Sequence, residues 1–237
     1  MAITAQTILT RVRTQLIDEI PVPAGQDPAS VRRWTDDELL RWMSDGQRTL
    51  VAMDPSLGTF TDALLLQPGT KQVLPDGAFM LIDIKRNMGN DGLTPGRVVT
   101  VISRENLDRV DPMWHASRRS DVTQHYIYDP KQPRVYYVYP PSTGANYIDV
   151  VRANNPPDFT TLTDLLTVPD LYQTALFDYV MFRAHQKDSD YAAGESKAQA
   201  YLQLFQLFVT GHTEAVLDES PNKQLGPSDL ADKGAAA

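Results

Sequence analysis

The stretch YIYDPKQPRVYYVYPPS, residues 126–142, holds five of the chain's ten tyrosines in 17 residues. Its middle, Asp129–Pro133, is a run of turn formers between two β-forming segments, which predicts a β-hairpin. In the second arm Val135, Tyr137 and Tyr139 share one face and Tyr136 and Val138 the other, because strand side chains alternate. Both faces are apolar or aromatic. A sheet with one wet face would carry polar residues at alternate positions. The hairpin therefore needs cover on both sides, one from the chain's own core and one from another element or another subunit. Nucleic-acid platforms also present aromatic rings, but they pair them with basic neighbours; here Lys131 and Arg134 are offset by Asp129 and Asp149.

Outward from the hairpin, the middle of the chain is strand-like. FTDALLLQPGTKQVLP (60–75) reads as two short strands about a Pro68-Gly69 turn. AFMLIDIKRN (78–87) fits either a strand or a buried helical turn. GNDGLTPG (89–96) is a turn cluster, RVVTVIS (97–103) a strand, LDRVDPMWHASRRSD (107–121) an irregular loop pinned by Trp114, and YIDVVRA (147–153) a further strand. The short connections DPKQP and PSTGAN predict antiparallel neighbours, since a parallel crossover needs about a dozen residues.

Both ends of the chain are helical in pattern. Ile8, Leu9, Val12 and Leu16 recur at helical spacing behind Thr4, predicting a helix over 4–17. EIPVPAGQDPAS (19–30) is a proline-rich loop. Thr35-Asp36-Asp37-Glu38 is a capping box opening a second helix, which DPSLG (54–58) stops. After Pro169-Asp170, the residues Leu171, Ala175, Leu176, Tyr179, Val180 and Phe182 predict a third helix. A fourth, about 191–209, carries Ala198, Tyr201, Leu202, Phe205 and Phe208. Residues 218–237 lack aromatics and are expected to be disordered. The expected fold class is α+β: an antiparallel helical bundle of N- and C-terminal helix pairs (1–58 and 158–217), an inserted antiparallel β lobe (59–157) and a flexible C-terminal tail (218–237).

Composition narrows the function. The chain of 237 residues has 22 basic and 30 acidic residues, a net charge of −8. That is the wrong sign for gripping nucleic acid or an anionic membrane. It has no cysteine, which removes disulfides, thiolate metal sites and cysteine nucleophiles. No apolar run approaches the ~20 residues of a membrane-spanning helix, and the N-terminus does not read as a signal peptide. There is no GK[ST] phosphate loop, no H-E-x-x-H and no G-x-S-x-G. The four histidines (115, 125, 185 and 212) lack ligand spacing, so no metal and no cofactor are expected. DSDYAAGESKAQ (188–199) misses a calcium loop, with glycine at position 7 and Gln199 at position 12. Asp111, His115 and Asp121 form an acid–base set on paper only, without a nucleophile. Arg118 and Arg119, near Arg104 and Arg109, make the notable basic cluster. They suit phosphates, acidic residues of a protein partner, or plain solvation.

The order of segments carries a resemblance. An N-terminal helix pair precedes LLLQPGTKQVLPDGAFMLIDIKRNMGNDGLTPGRVVTV. LDRVDPMWH, HYIYDPKQPRVYYVYPP and YIDVVRANNPP follow, and VPDLYQTALFDYVMFRAHQKDSDYAAGESKAQAYLQLF closes the sequence. Over residues 1–217 this resembles the head-to-tail adaptor (connector) proteins of tailed bacteriophages, especially short-tailed ones. The resemblance implies a structural virion protein rather than an enzyme. It implies a homo-oligomeric ring, commonly a dodecamer, beneath the portal protein and above the tail nozzle or tail tube. DNA would pass its lumen without specific binding. The virion neck is its implied location, with assembly in the host bacterial cytoplasm. In that reading the tail runs along the portal with Leu225 and Leu230 as apolar anchors, while Tyr136, Tyr137, Tyr139, Arg118 and Arg119 are candidate partner-interface residues. The rival readings are a cell-wall or carbohydrate hydrolase using carboxylates such as Asp188 and Asp190, and a nucleic-acid-binding module.

Overall fold

The computed structural model describes residues 3–17, 32–187 and 192–219. In chain order the elements are α1 (Ala5–Leu16), α2 (Asp36–Met53), β1 (Thr59–Leu65), β2 (Gly69–Val73), β3 (Ala78–Asn87), β4 (Thr100–Val101), α3 (Arg104–Val110), β5 (His125–Tyr128), β6 (Val135–Ser142), β7 (Tyr147–Asn154), α4 (Gln173–Lys187) and α5 (Ala192–Glu219). They fall into two compact units. Met1–Asp54 with Pro157–Ala237 holds α1, α2, α4 and α5; Pro55–Pro156 holds the strands and α3. The fold class is α+β.

In the helical unit the Thr35 hydroxyl accepts the Glu38 N–H at 3.2 Å, as the capping box requires. Leu39, Met43, Gly46 and Leu50 then form a buried stripe on α2 at helical spacing. α4 packs against α5, α2 and α1. That central place explains why it buries Ala175, Leu176, Asp178, Val180, Met181 and Ala184 around much of its circumference. The returning segment 157–167 is held by long-range polar bonds. Ser44 Oγ accepts the Phe159 N–H at 2.9 Å, and the fully buried Gln47 accepts the Thr167 N–H at 3.2 Å. The chain start bonds the same segment, from Ala5 N–H to the Asp164 carbonyl (2.9 Å) and from Gln6 N–H to the Leu162 carbonyl (2.8 Å). The last helix runs to Glu219, past its expected end, and takes in Asp218; residues 220–237, with Leu225 and Leu230, lie outside the described residues, as does the loop 19–30.

The β unit is built from two sheets, ordered β1-β7-β3 and β2-β6-β5-β4, around one core that includes Leu66, Leu81, Ile84, Tyr136, Val138, Ile148 and Val150. The hairpin of β5 and β6 forms as expected, with Ile127 opposite Tyr137 and Tyr128 opposite Tyr136. Other pairings differ from the expectation. β1 and β2 flank Pro68-Gly69 without pairing: β1 joins β7 and β2 joins β6. β6 and β7, joined by a short loop, also lie in different sheets. Both loops are corners between sheets, not hairpin turns. The corners touch, since a Cβ on Gly144 (φ +93°) would lie 2.7 Å from Pro68 Cγ. Gln72 fixes the first corner by accepting the Gln67 N–H at 2.7 Å and donating to its carbonyl at 2.8 Å. At the second, Ser142 Oγ accepts the Gly144 N–H at 2.9 Å and donates to Asn146 at 2.7 Å.

Residues 78–87 are a strand. The expected strand 97–103 splits. Residues 97–99 bond β3, from Asn87 N–H to the Arg97 carbonyl and from Val99 N–H to the Lys85 carbonyl, whereas Thr100–Val101 run parallel to β5. The lobe is thus mainly antiparallel with one parallel pair. The expected irregular loop after it contains α3, capped by Ser103 Oγ at the Asn106 N–H (3.3 Å), and a single 3-10 turn, Trp114–Ala116.

Candidate partner interface

The tyrosine-rich hairpin separates two apolar environments. Tyr136 is 2% exposed and points into the main β core. Burial pushes its hydroxyl pKa well above the usual phenol range. This corrects the expectation of Tyr136 as an interface residue, because its ring is already enclosed by its own chain. Tyr126, on the neighbouring strand, is also buried. Its hydroxyl donates to Asp83 at 2.9 Å, and burial first, then the Asp83 carboxylate, push it up to about 12.

The other face is covered by α3 and the 3-10 turn. Leu107, Trp114 and Ile127 form a second buried cluster, with Ile102, Tyr137 and Tyr139 half-buried against it. Trp114 donates from Nε1 to Asp108 at 2.8 Å and stacks on His115 at 3.6 Å between ring centres. Tyr137 meets the edges of both rings, at 6.1 and 5.8 Å, and lies 5.7 Å from the Arg104 guanidinium. Tyr139 stacks on His125 at 6.3 Å. Beside this cluster a groove of about 330 Å³ opens between the hairpin and the start of α3, lined by Ile102, Arg104, Ile127, Tyr128, Val135 and Tyr137. Of the hairpin's five tyrosines, Tyr128, Tyr137 and Tyr139 are the half-buried ones that offer surface.

Arg118 and Arg119 are both exposed and make no ion pair among the described residues. Arg104 pairs with Asp108 at 3.8 Å. Asp111, His115 and Asp121 are not brought together as an acid–base set. Asp111 accepts from Ser117 and from the Met113 N–H, His115 Nδ1 shares a hydrogen bond with Thr70, and Asp121 accepts from Thr143. Among the described residues, no group of three His, Asp or Glu is placed to hold a metal ion. Nor is any helix among them long and apolar enough to cross a membrane. Asp188 and Asp190 lie outside the described residues.

Sequence reasoning passed over Asn87. It is 4% exposed, donates to the carbonyls of Arg97 (2.9 Å) and Thr123 (2.8 Å), and accepts the Thr123 N–H (2.8 Å). It ties β3 to the segments that carry Val98 and Val122. An asparagine ending a strand before a Gly-Asn-Asp-Gly turn reads locally as turn chemistry, so no sequence signal separates it from its neighbours.

The family model of the SU10 adaptor protein matches residues 3–222. No curated protein matches the chain.

Proposed function

This chain belongs to the SU10 adaptor protein family, and from that premise we propose that it is a head-to-tail adaptor, forming a ring under the portal. The family is one of structural phage proteins, so the chain is a structural component of the virion that associates with itself and with portal and tail parts. The finer reading is a ring of about twelve copies at the neck, on the pattern of closed heterologous rings. It extends the DNA channel from the portal and gives the nozzle its docking surface. The net charge of −8 supports a lumen that DNA passes without sticking. In this reading Asp218–Ala237 runs along the portal, with Leu225 and Leu230 as its apolar anchors. Tyr137 and Tyr139 supply half-buried aromatic surface for a neighbour.

The observation that carries this reading is the family match over nearly the whole chain. The test is to mix the purified full chain with the portal protein of its own phage and measure the mass of the product by sedimentation. The expected product is a portal bearing about twelve adaptor copies. Absence of association, both in that mixture and in necks purified from virions, overturns the reading. Truncation after Leu217 is expected to weaken portal binding, and full binding by the truncated chain refutes the docking of the tail.

A further inference from the structure

The short helix α3 carries a different surface at each end. At its start, Arg104 and Glu105 line the groove of about 330 Å³ that opens toward the tyrosine hairpin. Ile102, Ile127, Val135 and the rings of Tyr128 and Tyr137 give that groove an apolar and aromatic lining. Two exposed acids, Glu105 and Asp129, also line it, and neither makes an ion pair among the described residues. Arg104 is engaged: it pairs with Asp108 at 3.8 Å and lies 5.7 Å from the Tyr137 ring centre. The Asp129 charge acts within the groove, since burial first, and then this carboxylate, raise the pKa of the Tyr128 hydroxyl. The groove is an apolar slot with spare negative charge.

At its other end α3 runs into an apolar knob. Val110 and Met113 are 83 and 70% exposed, and Pro112 is exposed with them. The knob is held in shape. The Asp111 N–H bonds the Leu107 carbonyl at 2.9 Å, Asp111 Oδ1 accepts the Met113 N–H at 3.1 Å, and the Asp111 carbonyl accepts the Trp114 N–H at 3.1 Å. Trp114, buried in the cluster beneath, anchors the turn. The acids of this turn are engaged, Asp108 by Arg104 and Trp114 Nε1, and Asp111 by Ser117 and the Met113 N–H. Arg109 is exposed and makes no ion pair among the described residues, not even with Glu105 one helical turn before it. The knob is apolar with spare positive charge.

Knob and groove match in polarity and in charge, yet they cannot meet within one chain. They sit at opposite ends of one helix of 7 residues, a rigid spacer about 10 Å long. The occupant that fits the groove is therefore the knob of a second copy. Met113 suits the slot, because a thioether packs favourably against aromatic rings and the groove presents Tyr128 and Tyr137. A knob already fixed by hydrogen bonds loses little freedom on insertion.

We propose that the turn Val110–Met113 of one copy inserts into the groove between α3 and the tyrosine hairpin of the next, with Arg109 meeting Glu105 and Asp129 there. The two surfaces differ, so the contact is heterologous. Each copy carries one of each, so the contact repeats from copy to copy and is of the kind that closes rings. It rests on the adaptor reading in requiring that copies assemble, and it names the faces through which they do so.

The test uses the full chain at low salt, where attraction between charges is least screened. Self-association is read by sedimentation, and wild type is expected to associate. Val110→Gln with Met113→Gln, at two exposed positions, is expected to weaken association roughly tenfold or more. Arg109→Glu and Glu105→Lys are each expected to weaken it roughly tenfold. Mixing these two proteins restores association, because every knob then finds a groove of opposite charge. Both variants also place like charges four residues apart on α3, a local loss that mixing does not repair, so recovery reports contact between copies. The absence of native cysteine allows a second measurement at Gln132, an exposed residue of the groove. Met113→Cys and Gln132→Cys proteins oxidised together are expected to give mixed disulfide dimers in excess over the homodimers that either gives alone. Wild type that stays monomeric at low salt overturns the inference. So does association unchanged by the glutamine pair, a charge-reversed mixture that does not recover, or no excess of mixed dimers. Glu105→Lys that loses portal binding while self-association stays as in wild type assigns the groove to the portal and also overturns it. Wild type that binds portal without self-associating strikes this inference alone, and self-association without portal binding strikes the adaptor reading alone.

Discussion

Replacing Trp114 by alanine tests whether the outer face of the tyrosine hairpin is closed by this chain itself. Trp114 is 1% exposed and is the largest side chain of the cluster that joins α3 and the 3-10 turn to β5 and β6. Truncating a buried tryptophan costs about 3–5 kcal/mol, and the lost bond from Nε1 to the half-exposed Asp108 adds about 1 kcal/mol at most, since water can replace it. Leu107, Trp114 and Ile127 form a cluster separate from the main β core, so the loss is expected to be local. The assay is native-state hydrogen exchange. The amides of Leu107, Asp111, Trp114 and Ala116 bond within α3 and its following turn, and they should exchange roughly a hundredfold or more faster in Trp114→Ala. Those of β6 and β7 should change far less. Trp114→Phe should keep much of the protection. Unchanged exchange over 107–116 refutes the claim that Trp114 holds the cover, and an equal loss across the β unit refutes its local character.

Asn87→Ala removes three hydrogen bonds from a buried side chain; a loss of about 2–4 kcal/mol is expected in urea unfolding, and a midpoint within error of wild type would refute the tie it makes. Gly46→Ala places a Cβ 2.9 Å from Tyr179 Cδ1 where α2 meets α4. The overpacking cost of about 1–3 kcal/mol outweighs the ~1 kcal/mol gain in helix propensity, so the melting temperature should fall, and a rise would refute the close approach. Asp178, 7% exposed on α4, is pushed up to about 6 by burial, against a smaller opposing pull from Arg11. Its folded-state pKa exceeds the unfolded value of 3.8, so the folded chain binds the extra proton between those values and stability falls as pH rises through that window. Asp178→Asn should stabilise at neutral pH by on the order of 2–3 kcal/mol and make little difference below about pH 4; an equal gap at both pH values refutes the titration.

Much of the secondary structure was written locally. The Thr35 capping box, the stripe of Leu39, Met43 and Leu50, and the hairpin of β5 and β6 each follow from spacing within a few residues of chain. So did the need for cover on both faces of the hairpin, because alternation assigns every tyrosine a side. Strand partnership was not legible in the same way. Short loops at Pro68-Gly69 and at Ser142–Asn146 show that the next strand starts nearby, but a corner into a facing sheet is as short as a turn into a neighbouring strand. Ser103 marks a helix start only once the chain is known to leave β4 after Val101.

The sequence by itself therefore determined the α+β class, the principal helices, the aromatic hairpin and its doubly apolar character, since periodicity and capping are short-range properties. Only the tertiary structure decided that Tyr136 is core while Tyr137 and Tyr139 remain half-open, that Asn87 joins three segments, and that β1 and β6 pair outside their own short loops. Those outcomes depend on which segments meet across tens of residues, where local patterns are equally satisfied by several pairings and the packing of one shared core selects among them.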